Sequence, residues 1–159
     1  RVLLYLAYSD SSGSETAAWV GTQEISDSYG ISKNHLVRVI QTLAEYGYVT
    51  VKTGRSGGAR LAKPPAAINL GDVVRHTEQS FRIVECFDAE TNTCPILPMC
   101  GLRSVLIDAL EAFMAKLDQY TLGDLCTPKR KVLFFDIMRP ALAGKSSHTK
   151  PVRTRTSGG

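Results

Sequence analysis

The sequence predicts a mostly α-helical protein with one small β-hairpin, namely a winged helix-turn-helix domain followed by a long dimerisation helix. Three observations support this fold class. Two short helical segments are separated by a brief turn, a Gly-rich hairpin pattern follows them, and the longest apolar helical repeat comes later. The composition agrees, because 43% of the 159 residues are hydrophobic, which is enough for an ordinary folded core.

The helix-turn-helix pattern occupies residues 22–46. Thr22–Tyr29 predicts a short helix with Thr22 as its N-cap, and Gly30 ends it. Ser32 then caps a second helix over residues 33–46, whose apolar stripe consists of Leu36, Val39, Ile40 and Leu43. Polar residues at the N-terminal end of that helix are placed to read base edges in the major groove of DNA. They are Ser32, Lys33, Asn34, His35 and Arg38.

A hairpin pattern follows the second helix. Residues 48–52 are rich in β-branched side chains, residues 53–58 form a Gly-rich turn, and residues 59–61 begin a return strand. Such a wing can place a basic tip in the minor groove, because glycine lets the backbone approach closely. The predicted DNA contacts here are Arg55, Gly57, Gly58 and Arg60. The alternative is that these residues are simply solvated, but the order helix, turn, helix, hairpin favours DNA binding.

Three cysteines lie close together in one loop. Cys86, Cys94 and Cys100 are separated by seven and then five residues, and Pro95 and Pro98 exclude a helix or an inner strand between them. Such a loop could hold zinc, ligate an iron–sulfur cluster, close a redox disulfide, or carry unremarkable thiols. The spacing matches neither a typical zinc ribbon nor the bacterial ferredoxin run. On chemistry alone a metal or cluster site is favoured.

The longest periodic segment covers residues 102–120, and its apolar face is too broad for a small winged domain to bury. We therefore expect a dimerisation helix, with packing inside one chain as the alternative. The predicted organisation is a winged helix-turn-helix domain at 1–80 and a cysteine loop at 81–101. A dimerisation helix with a terminal turn follows at 102–126, then a basic, largely disordered tail at 127–159. Cys126 is expected to be a free thiol.

The net charge of +4 is unevenly distributed. Residues 22–63 carry +3, residues 64–126 carry −5 and residues 127–159 carry +7, so one part of the molecule is suited to a polyanion. No apolar run approaches the ~20 residues that span a bilayer. No signal peptide is visible, and four cysteines without secretory features favour the cytoplasm. No Ser–His–Asp arrangement, phosphate-binding loop or HExxH motif is present, so the sequence predicts no enzyme.

Several motifs resemble one family. The stretches ISKNHLVRVI (31–40), GRSGGARL (54–61), GDVVR (71–75) and YTLGDL (120–125) resemble the bacterial Rrf2 family of winged-helix repressors. Within that family, VEC (84–86) and NTCPILPMC (92–100) are similar to the nitric-oxide-sensing repressors. The resemblance extends over about residues 1–125, and the wing and cysteine motifs together are its specific part.

The resemblance implies a homodimer that binds double-stranded promoter DNA, with nitric oxide as signal and an iron–sulfur cluster held by Cys86, Cys94 and Cys100. It favours a 4Fe–4S cluster and leaves 2Fe–2S open. The first gap between cysteines is longer than is usual in the family. Arg103 stands where cluster-biogenesis regulators of the family have His, which argues against that branch. In similar members of the family an acidic residue near the N-terminus of the partner subunit can complete the cluster; that segment would precede Arg1, so the fourth ligand is left unassigned.

The sequence therefore predicts a cytoplasmic transcriptional repressor that releases operator DNA when nitric oxide reaches its cluster. Three thiolates leave one iron of a cubane without a protein sulfur and open to a small ligand. The alternative is a small iron–sulfur electron carrier, or a redox protein that depends on thiols or zinc. Neither of these needs a basic wing and a reading helix.

Overall fold

The structure is a computed structural model that describes residues 1–10, 19–78 and 80–143. This part of the chain is mostly helical with one antiparallel hairpin, as the sequence predicts. The helices are α1 (Val2–Ser9), α2 (Thr22–Tyr29), α3 (Lys33–Glu45), α4 (Leu70–Thr77), α5 (Gly101–Asp118), α6 (Leu122–Leu125) and α7 (Pro128–Ala143). The strands are β1 (Val49–Lys52) and β2 (Gly58–Leu61), and single 3-10 turns occupy Pro65–Ala67, Glu85–Phe87 and Leu97–Met99.

One hydrophobic core joins the first three helices to the hairpin. Its most completely buried large side chains are Tyr5, Ile25, Leu36, Ile68 and Leu122. Burying a side chain of this size stabilises a fold by ~1.5–3 kcal/mol. Ile68 and Leu122 lie on either side of the segment that contains the cysteine loop and α5. Both ends of that segment are therefore anchored in the core of the winged domain.

The turn between α2 and α3 has the features that the sequence predicts. Gly30 ends α2 in the left-handed region with φ 63°, which favours glycine. The Ser26 hydroxyl donates to the Ile31 carbonyl at 2.6 Å, and the Ile31 amide donates back to the Ser26 carbonyl at 3.1 Å. The N-cap of α2 is Gly21, one residue before the predicted position. Ser32 is the N-cap of α3 as predicted, although its side chain makes no capping hydrogen bond.

The hairpin is held against the chain that precedes α2. Strands β1 and β2 pair antiparallel from Val49 opposite Leu61 to the other end of the ladder. Val20 adds a bridge through two hydrogen bonds. The Val20 amide donates to the Ala59 carbonyl at 3.0 Å, and the Ala59 amide donates to the Val20 carbonyl at 2.9 Å. At Gly58 a Cβ would lie 2.3 Å from the Val20 carbonyl oxygen, so this close approach requires glycine.

A short junction connects the cysteine segment back to the winged domain. The Leu70 amide donates to the Tyr120 carbonyl at 2.9 Å, and the Leu122 amide donates to the Ile68 carbonyl at 2.8 Å. Thr121 forms an isolated antiparallel bridge with Asn69 and then begins α6 through a complete capping box. The terminal turn that the sequence predicts after the long helix therefore combines a bridge with the short helix α6.

Helix α5 contains the expected long apolar repeat but contributes no buried residue to the single chain. It begins one residue earlier and ends two residues earlier than the predicted range of 102–120. Large apolar side chains on α5 stay open to solvent, with exposed fractions of 61% for Leu102, 60% for Val105 and 53% for Phe113. The described part of one chain therefore leaves most of this face without a partner.

Helix α7 corrects a prediction about the C-terminal part. Residues 127–159 were expected to be largely disordered, but residues 128–143 form a helix that packs against α1 and α2. The ring of Phe134 lies 4.7 Å from Tyr8 and 5.5 Å from Tyr5, and the Lys131 ammonium donates to the Asp10 carbonyl at 3.0 Å. These contacts stabilise the helix despite its charge. The expected disorder of residues 145–159 lies outside the described residues.

Candidate nucleic-acid interface and metal centre

The N-terminal end of α3 presents a row of exposed polar side chains. Leu36, Ile40 and Leu43 turn toward the core and fix the rotation of the helix. The opposite face is solvent-exposed and carries the residues that the sequence assigns to DNA reading, which are Ser32, Lys33, Asn34, His35 and Arg38. The fold therefore brings these donors together on one accessible surface, where a major groove could receive them.

The wing places Arg55 at an exposed tip and gives the neighbouring glycines a structural reason. A Cβ at Gly57 would lie 2.2 Å from the Lys52 carbonyl oxygen, so the tight turn excludes any side chain there. Gly58 is restricted by the bridge to Val20 described above. Both glycines were predicted as DNA contacts, and that stays a prediction; the structure shows that Gly57 is required by the turn and Gly58 by the bridge to Val20.

Sequence reasoning missed Trp19, the single tryptophan of the chain. Its half-buried ring lies beside the wing, with the Arg60 guanidinium 4.7 Å and the Lys52 ammonium 5.9 Å from the ring centroid. These are cation–π distances, and they limit the directions that Arg60 can adopt. The available signal was an aromatic residue immediately before Val20, but its partners Lys52 and Arg60 are distant in sequence and only the fold brings them together.

The cysteine loop is organised around one buried carboxylate. Asp88 is 8% exposed and accepts from the Arg82 guanidinium at 2.5 Å, the Thr91 hydroxyl at 2.8 Å and the Glu90 amide at 3.1 Å. The hydrogen bond from the Thr91 hydroxyl, followed by that from the Glu90 amide, lowers the pKa of Asp88. A fixed carboxylate with this many donors makes residues 88–92 a tight turn between the first two cysteines.

The three clustered cysteines are free and half-buried. Two contacts fix the ends of their loop. The Arg103 guanidinium on α5 donates to the Cys86 carbonyl at 2.9 Å, and Cys100 is the N-cap residue of α5. The Cys94 amide donates to the Asn92 side chain at 3.2 Å. The start and the end of the loop are therefore held near the first turn of one helix.

As a donor set, three accessible thiols on one loop suit iron and sulfide, since thiolates are the usual ligands of such clusters. Among the described residues, however, no three His, Cys, Asp or Glu side chains are already arranged around a metal position. The residues thus fit the implied group in chemistry, and their final arrangement depends on its binding. Cys126 differs, because it packs against the hydrophobic core and burial raises the pKa of its thiol.

Helix α4 lies between α5 and the reading head, which is the surface formed by α3 and the wing. Its Arg75 guanidinium donates two hydrogen bonds to the carboxylate of Asp118 at the end of α5, at 2.7 and 2.6 Å. The next residue, His76, stacks on Tyr46 with ring centroids 4.4 Å apart, and its Nδ1 lies 2.7 Å from the Tyr48 hydroxyl. His76 is therefore held in an aromatic contact next to the hairpin.

A model of the Rrf2 family, described as iron-dependent transcriptional regulators, matches residues 1–128. The chain belongs to the Rrf2 family. The Rrf2 model covers the winged domain, the cysteine loop, α5 and α6, and it ends at the first residue of α7. No helix in the described part of this Rrf2 protein is long and apolar enough to cross a membrane.

Curated relatives of this chain are Rrf2 proteins named NsrR. The HTH-type transcriptional regulator NsrR of Bacillus licheniformis is 50% identical over 125 residues, which are 79% of this chain and 84% of that protein. NsrR of Bacillus subtilis is 48% identical over 84% of this chain and 88% of its own length. These names describe transcriptional regulators, a role without catalysis, and this Rrf2 chain is accordingly a transcriptional regulator.

Solved structures share the fold. IscR of T. potens has a TM-score of 0.57 and 24% identity, covering 77% of this chain and 76% of its own. CymR of B. subtilis, described as a global cysteine regulator, also has a TM-score of 0.57 and 24% identity, over 78% and 86% of the two chains. At this identity the similarity concerns the fold alone, and it confirms the predicted winged-helix architecture.

Proposed function

We propose that this regulator is a cytoplasmic homodimeric repressor that senses nitric oxide through an iron–sulfur cluster held by Cys86, Cys94 and Cys100. One observation carries the proposal: the last cysteine is the N-cap of α5, and α5 ends in direct contact with the helix that supports the reading head. A change at the cysteine loop is thereby connected to the DNA-binding surface. The relatives named NsrR support the same reading of the cysteine motif.

The DNA-binding part of the proposal depends on two exposed elements. The N-terminal end of α3 presents Arg38 and its polar neighbours, and the wing presents Arg55. Both elements are rigidly mounted on the core, so a single approach to a duplex can use the major groove for α3 and the adjacent minor groove for the wing. Promoter DNA is the expected partner.

The cofactor part depends on the cysteine loop. Cys86 and Cys100 are held at its two ends beside the first turn of α5, and Cys94 lies on the turn between them. When bound, the cluster supplies iron that accepts nitric oxide as a ligand. The protein contributes three thiolates, the Asp88 turn that shapes the loop, and the link from Cys100 into α5. A 4Fe–4S cluster is preferred because three thiolates leave one iron open.

The dimer part depends on the exposed face of α5. A cavity of about 600 Å³ lies between α4, residues 80–83 and α5, and it is lined mainly by apolar side chains such as Phe81, Leu106 and Phe113. An apolar face of this size on an otherwise folded chain is typical of a subunit interface. A second copy related by twofold symmetry would bury it and would place two reading heads one helical turn of DNA apart, about 34 Å.

The decisive experiment is an anaerobic operator titration before and after stoichiometric nitric oxide. Wild type should lose about a hundredfold in operator affinity, which corresponds to ~2.7 kcal/mol. Cys94→Ser should remain a folded dimer, lack the visible absorbance of a cluster, and bind weakly with or without nitric oxide. Cys126→Ser is the matched control and should behave as wild type. Tight binding by wild type and Cys94→Ser that ignores nitric oxide would exclude the cluster switch.

A second experiment tests the reading head separately. Arg38→Ala and Arg55→Ala should each weaken operator binding by ~1–3 kcal/mol if the side chain contacts a base, with the loss concentrated at one operator position. Lys129→Ala on α7 removes a positive charge outside both the proposed DNA surface and the proposed dimer face of α5, and should leave affinity nearly unchanged. If all three variants bound the operator like wild type across salt concentrations, the assignment of the DNA surface would be wrong.

A further inference from the structure

Helix α4 makes two sets of contacts at adjacent residues, one to α5 and one to the reading head. Arg75 and Asp118 form the first set through two parallel hydrogen bonds. His76 forms the second set, by stacking on Tyr46 and by its hydrogen bond with Tyr48. Tyr46 is the C-cap of α3, and Tyr48 immediately precedes β1. The same helical turn therefore contacts the end of α5, the end of the reading helix and the base of the wing.

The contact between α4 and α5 is built for close approach. Asn69 donates from its side-chain amide to the Asp118 carbonyl at 2.8 Å and caps α4 with its other side-chain atom. A Cβ added at Gly71 would lie 1.8 Å from the Asp118 carboxylate oxygen. Glycine at this position is thus what allows the carboxylate to reach Arg75. Bidentate pairs of this kind fix an angle as well as a distance, which a single hydrogen bond does not.

The length of α5 makes the position of its Cys100 end sensitive to the angle at this contact. α5 has 18 residues, so it is a rod of about 27 Å with Cys100 at one end and Asp118 at the other. Its described residues pack mainly on α4, and none is buried. A tilt of about 10° at the Asp118 end moves the Cys100 end by roughly 5 Å over that length. A displacement of a few ångströms at the cysteine loop is therefore equivalent to a rotation of α5 against the reading head.

We propose that the contact formed by Gly71, Arg75 and Asp118 is a positioning joint, which sets the angle between α5 and the reading head and so couples the cysteine loop to operator affinity. The inference rests on the proposed function and specifies where its two ends are connected. The three residues belong neither to the surface proposed for DNA nor to the cysteine loop. They act through α4, because His76 on that helix stacks on Tyr46 at the end of α3 and hydrogen-bonds with Tyr48 before β1.

Two substitutions break the joint by different means. Asp118→Asn removes the charge and one of the two acceptors that Arg75 uses. Gly71→Ala places a methyl group where the carboxylate lies, and the flexible carboxylate can move away without unfolding α4. Asp72→Asn is the matched control, because Asp72 faces the same guanidinium at a longer distance of 3.4 Å but belongs to α4 itself and does not reach α5.

The measurement is the ratio of operator affinities with and without cluster, for each protein as a purified dimer. Wild type should show a ratio of about a hundredfold, within the usual range of coupling between two sites. Asp118→Asn and Gly71→Ala should load the cluster normally, as judged by visible absorbance, yet show a ratio below about fivefold. Asp72→Asn should keep the wild-type ratio. A merely structural role would lower the melting temperature without changing this ratio.

Hydrogen exchange of the cluster-free protein adds a measurement that needs no cluster. The Leu122 amide, which donates to Ile68 beside the joint, should exchange faster in both joint variants and at the wild-type rate in Asp72→Asn. If the joint variants keep a hundredfold ratio and wild-type exchange, the inference is wrong while the proposed function stands. If wild type itself shows no difference between cluster-loaded and cluster-free protein, the proposed function fails and this inference fails with it.

Discussion

Replacement of Gly58 by alanine should destabilise the winged domain through the bridge between Val20 and Ala59. The new Cβ would lie 2.3 Å from the Val20 carbonyl oxygen and 2.6 Å from its carbonyl carbon, and both belong to backbone that cannot swing aside. Two backbone hydrogen bonds, of 3.0 and 2.9 Å, would therefore lengthen or break. Each such bond contributes ~0.5–1.5 kcal/mol net.

The expected loss is about 1–3 kcal/mol, and the upper part of this range is favoured because the bonded groups are not solvated. Val20 is 4% exposed and Ala59 is fully buried at 0%, so water cannot replace the lost partners. Urea unfolding followed by circular dichroism gives the free energy of unfolding. Fluorescence of Trp19, which directly precedes Val20, reports the same region locally.

Gly21→Ala is the matched control for Gly58→Ala. Nothing lies within 4 Å of a Cβ at Gly21, and its φ of −67° suits any residue. Its cost should be limited to about 1 kcal/mol, because alanine is a poorer N-cap residue than glycine. If Gly58→Ala unfolds at the same urea concentration as Gly21→Ala, the close approach does not constrain the wing and the reasoning is refuted.

Three further outcomes are expected. Trp19→Leu should weaken operator binding about two- to fivefold, because Arg60 loses the ring that orients it. Fluorescence anisotropy of labelled DNA measures this affinity. Trp19→Phe should restore most of the affinity, and equal affinities of the two variants would contradict the prediction. Phe134→Ala should lower the free energy of unfolding by about 1–3 kcal/mol in urea titrations, whereas an unchanged value would mean that α7 adds no stability. Hydrogen bonds from Thr121, first from its amide and then from its hydroxyl, lower the pKa of Asp124. The contribution of Asp124 to the free energy of unfolding is therefore present above the unfolded-state pKa of about 4 and is lost as the pH falls through the folded-state pKa. Asp124→Asn should accordingly lower the urea midpoint at pH 7 and match wild type in strong acid. Equal midpoints at pH 7 would contradict this prediction.

The helix-turn-helix and the wing could be predicted from sequence because their signals are local. The apolar stripe of α3 repeats every three to four residues, and Gly30 marks the turn at the position where φ is positive. The exposed row at the start of α3 follows from the same periodicity. The cysteine loop was equally visible, since its residues are close in sequence and proline excludes regular structure between them.

What could not be predicted depends on contacts between distant residues. Arg75 and Asp118 are 43 positions apart, and nothing near either residue indicates the other. No local signal near Gly71 indicates that the carboxylate of Asp118 packs beside it. Helix α7 was missed because its basic composition suggested disorder, whereas the packing of Phe134 against α1 decides its structure.

The position of α7 has a consequence for how the protein is made. Tyr5 and Tyr8 are synthesised before Phe134, whose ring packs on them, by an interval on the order of ten seconds at ordinary elongation rates. During that interval the nascent winged domain carries an uncovered aromatic surface on α1. Nascent chains should therefore attract holding chaperones through this surface, and release should coincide with synthesis of α7.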